Sequence, residues 1–169
     1  MIDWGWVIDN RAMIGDLLWQ HARMVLLALL FGSLLTGGLL AITLRWPATA
    51  QPLITLCGVL FTVPSLALFI LLLPFTGLSL TTSLIGLTLY SLLILLRNML
   101  AGIEKLPQAA LESARALGYT RGFRFFDIEL WLLLPSLFAG LRIASVTLVG
   151  LVTVTALIGQ GGLGQLLLA

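Results

Sequence analysis

Hydrophobic residues in this chain fall in long unbroken runs, and polar residues gather in short clusters between them. About 20 apolar residues in succession is the length an α-helix needs to cross the hydrocarbon core of a bilayer. Four stretches reach or approach that length: Met24 to Leu44, Leu53 to Leu73, Leu78 to Leu96, and one that begins after Leu130 and ends near Ile158. The main interruption is Leu111 to Pro135, LESARALGYTRGFRFFDIELWLLLP, where charges concentrate. The pattern predicts an all-α membrane protein, a polytopic helical bundle with about four spans. No Gly/Ser-rich linker and no large internal repeat divides it, so residues 1–169 are expected to form a single transmembrane domain.

Basic residues orient the bundle, because Lys and Arg are retained on the cytoplasmic side during insertion. Arg45 follows the first span, and Arg97, Lys105, Arg115, Arg121 and Arg124 lie between the third and fourth. The link Pro74-Phe75-Thr76-Gly77 carries no charge. The N-terminus is therefore expected outside, the Arg45 turn and the charged island inside, and the Pro74 link and C-terminal glycines outside. Arg11 and Arg23 oppose this order, but Asp3, Asp9 and Asp16 surround them.

Composition supports the membrane reading and narrows the chemistry. Hydrophobic residues make up 60% of the chain and charged residues 9%, and the mean hydropathy is +1.12. A soluble domain cannot hide that much apolar surface. The net charge of +2 offers no nucleic-acid-binding face. Cys57, the one cysteine, lies in an apolar run and reads as a small buried residue; internal disulfides and cysteine chelation of a metal are excluded. The start, MIDWGWVIDNRAMIGD, lacks the basic region of a signal peptide and is expected to be mature sequence.

Within lipid, helices gain little from hydrophobicity against each other, so close packing relies on small residues. Ala28, Gly32 and Thr36 form one such stripe, and Ser136, Gly140 and Ala144 another. Both a subunit interface and contact within one chain fit these stripes. Pro64 with Ser65 is expected to bend the second span, either as a packing kink or to expose carbonyls along a passage. Tyr90, and Asn98 at the cytoplasmic end of the third span, complete the set of translocation-path candidates. Arg142 needs a partner, a watery cavity or a route to the interface, and a span beginning near Ala139 would let it snorkel. His21 reads as an interfacial residue outside the first span. Gly159 to Gly164 lack the Lys-Ser/Thr of a phosphate loop and read as an irregular outer turn.

The island has the local chemistry of two short helices. Pro107 suits a first helical position and Gly118 a left-handed terminus, giving a helix over about 107–117. On it Ala110, Ala114 and Leu117 share a face, and Glu112 is spaced to pair with Arg115. Small side chains at Ser113 and Ala114 admit a partner backbone, and Glu112 presents a carboxylate. Thr120 is placed to cap a second turn, after which Phe123, Phe125 and Phe126 anchor the chain at the interface. An amphipathic helix lying on headgroups with no protein partner has the same physical signature.

The order Glu112-Ser113-Ala114, then Gly118, Ile128 and Leu134-Pro135, resembles the EAA motif of ABC importer permeases. In that family the motif forms a cytoplasmic coupling helix seated on the ATP-hydrolysing subunit. The resemblance implies a coupling segment over about residues 104–128, with Glu112, Ser113, Ala114, Arg115 and Gly118 as its coupling residues. Further segments are similar to permeases of osmoprotectant importers for glycine betaine, choline or carnitine. These are Phe61 to Leu68, Tyr90, Leu96-Arg97-Asn98, Ala101-Gly102, Leu157-Ile158-Gly159 and Gly161-Gly162-Leu163-Gly164, from about Gln20 onward in the family's order. What this implies is a type I importer permease in the bacterial cytoplasmic membrane, paired with a second permease, identical or different. Two ATPase subunits below would bind ATP and Mg, an extracytoplasmic binding protein would dock above, and this chain would hold no cofactor. Two departures stand out. Trp131 occupies the position where many relatives have proline, and the chain stops at Ala169 where relatives usually continue through another span, so a C-terminal span is expected to be missing.

Other classes fit less well. A secondary carrier needs coupling acids within its spans, and none occurs there. An enzyme needs clustered titratable groups, and Asp127 with Glu129 is accounted for by an interfacial role. A methionine or other amino-acid importer of the same superfamily is the nearest rival.

Overall fold

The computed structural model describes residues 4–168. Asp3, from the acidic N-terminal set, and Ala169 lie outside the described residues. Every regular element among those described is helical. Helix α1, Trp4–Asp9, breaks at Asn10, whose side-chain amide donates to the Trp6 carbonyl (2.9 Å). Then α2, Arg11–Arg45, runs 35 residues, roughly 52 Å at the α-helical rise and longer than a bilayer core is thick. A short 3-10 turn, Pro47–Thr49, leads into α3, Ala50–Thr62, and α4, Ser65–Thr76. Next come α5, Leu80–Glu104, and α6, Gln108–Ala116. A four-residue helix α7, Arg121–Arg124, passes through a π-helical turn, Phe125–Glu129, into α8, Leu130–Val154. Two 3-10 segments, Thr155–Ile158 and Gly162–Leu167, follow.

All four expected spans differ in outline from the sequence reading: the first begins at Arg11, well before Met24. The second is not a single rod, because α3 and α4 meet at a 96° bend. The third continues past Leu96 to Glu104, so Arg97 and Asn98 lie inside α5 and not at its end. The fourth rod starts at Arg121, before Leu130, because the π-turn joins α7 to α8 without a break. The lengthened helices share a cause, since the backbone continues as helix through polar residues at their ends; the bend is instead a break at Val63-Pro64.

Helix α5 is the hub, packed between α2 and α8 and touched by α3 and α4. Small residues permit this. A Cβ at Gly32 would overlap the Ser91 hydroxyl, which donates to the Ala28 carbonyl of α2 (3.0 Å) and to Thr88 (2.9 Å). Thr36, 5% exposed, turns its hydroxyl back to Gly32 (2.7 Å). On the other side Gly102 faces Ser136, Gly140 faces Asn98 and Leu95, and Ala144 is fully buried against Ile94 and Leu95. Both small-residue stripes are thus used inside the chain, each bringing an outer helix against α5. This is the close approach that helix association in lipid requires.

Two apolar cores mark the two ends of the bundle. One gathers Leu40, Cys57, Leu96, Leu100, Leu106, Leu111 and Leu133 at the end near the charged island. The other gathers Met24, Ala28, Phe69, Leu87, Leu148 and Ile158 at the opposite end. Since Cys57 is on α3 and Phe69 on α4, the bent pair still traverses the bundle, with its break near mid-depth. At the end away from the island Thr82 joins Gly77 and Thr76 in a polar knot (2.5 and 2.6 Å), and Ser79 caps α5 by accepting from the Thr82 N–H (3.3 Å). Backbone that leaves helix geometry at membrane depth is thereby kept paired.

Candidate coupling site

Helix α6 meets the rest of the chain through Leu111 on one side and is bare along the other. Leu111 and Ala114 are buried, at 8% and 1% exposure, with Leu111 in the same core as Leu106, Met99 and Leu133 of the spans. Glu112, Ser113, Arg115 and Ala116 are exposed, and Leu117 is 77% exposed. The expected face of Ala110, Ala114 and Leu117 is therefore split. The helix ends at Ala116, so Leu117 is in its terminal turn and swings outward. Ala114 is likewise corrected, since it faces its own chain and cannot admit a partner backbone directly. Ser113, Glu112 and Leu117 form the outward surface.

Gly118 takes φ +81 and closes the helix as its chemistry predicts. The amides of Gly118 and Tyr119 donate to the carbonyls of Arg115 and Ala114 (3.0 and 3.1 Å). Pro107 occupies the capping position one residue before the helix. Thr120 caps α7 by accepting from the Phe123 N–H at 3.4 Å. Glu112 does not pair with Arg115; the ion pair among the described residues is Arg124 with Glu129, Nε to Oε1 at 2.5 Å, with side chains 15% and 7% exposed. Tyr119 donates to Asp127 (3.1 Å), and that bond, with the charge of the carboxylate, pushes the phenol pKa up.

The path candidates converge only in part. At the break, Val63 and Pro64 are both extended, and the Tyr90 hydroxyl donates to the Val63 carbonyl (2.5 Å). Phe61 meets Tyr90 edge to face, with centroids 5.7 Å apart. Pro64, half-buried Ser65 and Tyr90 thus form one site near mid-depth. Asn98 lies about 12 Å further along α5 by helical rise and donates to its own helix at Ile94 (2.8 Å). Of the two earlier readings of Pro64, a mere kink is too small a description of a 96° change of direction.

Two residues are placed differently from the sequence reading. Arg142 lies at the middle of α8, on the side turned away from α5, about 13 Å by helical rise from Leu133 in the inner core. The helix does not begin near Ala139 but continues unbroken below Arg142 to Leu130, and the Arg142 side chain is exposed. His21 is 6% exposed, not interfacial. Its Nε2 is 3.1 Å from the Val149 carbonyl and therefore carries the proton, while Nδ1 has no hydrogen-bond partner among the described residues. What buries it is the glycine segment, since Gly162 packs directly on the His21 backbone. A glycine-rich run facing a stripe of buried α2 positions was the available signal.

Residues 33–169 match the family described as binding-protein-dependent transport system inner membrane component. The osmoprotectant import permease protein OsmW of Salmonella typhimurium is 34% identical over 96% of this chain and 78% of its own length. The carnitine transport permease protein OpuCB of Listeria monocytogenes is 34% identical over 87% of this chain and 67% of its own. The choline transport system permease protein OpuBB of Bacillus subtilis is 32% identical over 89% and 71%. In fold, the chain is similar to the inward-facing MetNI methionine ABC transporter, with a TM-score of 0.78, 21% identity, and coverage of 98% of this chain and 81% of that one. The chain therefore belongs to the inner-membrane components of binding-protein-dependent transport systems: it has the type I ABC permease fold and is a transport subunit, not an enzyme, in a family whose members work with a separate ATPase and a substrate-binding protein.

Proposed function

We propose that the chain is the permease subunit of an importer for osmoprotectants such as glycine betaine, carnitine or choline, with α6 as the element that receives force from the ATPase. The observation that carries the coupling assignment is the two-sided character of α6. Leu111 joins the core shared by α5 and α8 and Ala114 is buried beside it, while Glu112, Ser113 and Leu117 are left free for another protein. A push on the outward side is transmitted to the spans through packed side chains, without an intervening flexible loop. Gly118 fixes where the helix stops and so sets the direction of Leu117.

The cargo class rests on the relatives named for osmoprotectants, carnitine and choline. The methionine alternative has a likeness of fold only, at 21% identity. A quaternary ammonium has no proton to donate and is held by aromatic rings. Phe69 is fully buried against Gly86 and unavailable, which leaves Phe61 and Tyr90 at the bend as the contact for it. In this reading the N-terminus and the glycine segment face outward, where a binding protein docks. The island faces the cytosol, where ATP and Mg are bound by the ATPase. A second permease, identical or different, completes the pore.

Co-purification with a tagged ATPase subunit tests the coupling, and growth in high salt with single betaines tests the cargo. Glu112→Arg and Gly118→Trp are each expected to lose the ATPase and to abolish rescue. Normal ATPase retention and uptake in both variants would overturn the assignment. Methionine uptake in place of betaine rescue would overturn the cargo class alone.

A further inference from the structure

A cavity of ≈ 750 Å³ opens between the inner end of α2 and the segment running from α6 through the π-turn, lined by Arg45, Arg115, Arg121 and Arg124. We infer that it binds the phosphate headgroup of an anionic phospholipid. Four arginines and one carboxylate, Glu129, line it, and that carboxylate is already held by Arg124 through Nε. The terminal N–H groups of Arg124 stay available, and Arg115 and Arg121 have no ion-pair partner among the described residues. Planar forked donors of this kind match the oxygens of a phosphodiester.

Depth selects lipid over a soluble anion. Trp46 is 58% exposed, and Phe123, Phe126 and Trp131 are 67–69% exposed; together they form the aromatic girdle that marks a membrane interface. Trp46 adjoins the cavity, with the Arg45 guanidinium 5.8 Å from its ring centroid, and Phe123 and Phe126 flank Arg124 in sequence. The cavity wall also includes Leu44 and Phe125, which give the glycerol and the first methylenes an apolar lip that a free phosphate does not use. Basic pockets between helices on the cytoplasmic side are a recurring form of headgroup site. A lipid seated here would bridge the end of α2 to the coupling segment, so that surface charge of the bilayer bears on the position of α6. The inference depends on membrane placement, not on which cargo is carried.

The test uses the assembled importer, purified with its ATPase, and native mass spectrometry with added phosphatidylglycerol or phosphatidylcholine. Each of Arg45→Gln and Arg121→Gln is expected to lower phosphatidylglycerol occupancy about fivefold, with phosphatidylcholine unchanged, and the Arg45→Lys/Arg121→Lys pair is expected to retain most of it. Equal phosphatidylglycerol occupancy in wild type and the double Gln variant would overturn the site. Displacement of the lipid by millimolar inorganic phosphate would make the ligand a free anion. Loss of the ATPase with lipid binding intact would make the cavity a protein contact. Either result refutes the lipid assignment while leaving transport by the wild type untouched. Should the Gln variants fail to assemble, wild type in nanodiscs decides. The fluorescence that Trp46→Phe removes is expected to be quenched more by brominated phosphatidylglycerol than by brominated phosphatidylcholine, and equal quenching overturns the inference.

Discussion

Two glycine-marked elbows flank the rod that α7, the π-turn and α8 form, and they do opposite things. At Gly118 the backbone turns left-handed in open space; no atom lies within 4 Å of where a side chain would begin. At Gly161, Gly162 and Gly164 there is no room at all, because Ala156, His21 and Thr153 occupy that volume. The first elbow uses glycine for conformation only and leaves the neighbouring surface bare. The second uses glycine for contact and seals the His21 region of α2 to the C-terminal end of α8. A bare elbow beside a rooted helix suits an outside partner, whereas a filled one holds the chain to itself.

Substitutions that exchange these roles should have unequal effects. Gly162→Leu combines a left-handed φ of +49 with overlap on the His21 backbone. Strain and overpacking together cost about 3 kcal/mol or more, expected as loss of the monodisperse peak in detergent size exclusion. Ala114→Leu forces bulk into a site 1% exposed; a cost of about 1–3 kcal/mol should lower the melting temperature and weaken the ATPase interaction together. Gly118→Ala meets no neighbour and bears only the left-handed strain, about 1–2 kcal/mol. Its melt should move less than that of Gly162→Leu, while ATPase retention falls. Glu112→Arg should change stability by no more than about 0.5 kcal/mol and yet still release the ATPase, separating contact from folding. The smallest effect concerns Tyr119, whose hydrogen bond to Asp127 raises its pKa. The contact is intact below the ordinary tyrosine range and lost as pH rises through the raised value. Asp127→Asn should move the phenol's ultraviolet titration to lower pH in a Tyr90→Phe background.

Sequence alone disclosed the elements whose chemistry is local. Gly118, Thr120 and the Ala28 and Gly140 stripes each act through a neighbour one turn away or through sheer smallness, and both are visible in the residue order. The C-terminal glycine elbow is legible as irregular backbone but not as a lid on His21, because that contact joins residues more than a hundred positions apart. The 96° bend was foreshadowed by Pro64. The Tyr90 hydroxyl that meets the Val63 carbonyl at this break comes from 27 residues away, which no periodicity encodes. Arg97 and Asn98 were taken for a helix end because charge usually stops a span. Here α5 continues through both to Glu104; Asn98 packs against Gly140 of α8, while Arg97 stays exposed. Burial of Ala114 escaped notice for a related reason: a small residue on an amphipathic helix fits either an intimate partner or an intimate core.

The outward side of α6 can be probed with a single thiol at Ser113, since Cys57, the other cysteine, is buried. In inverted membrane vesicles lacking the ATPase, Ser113→Cys should react readily with a membrane-impermeant maleimide. With the ATPase present it should be protected. Reaction from the outside of intact cells, or an equal rate in inverted vesicles with and without the ATPase, would contradict the coupling role.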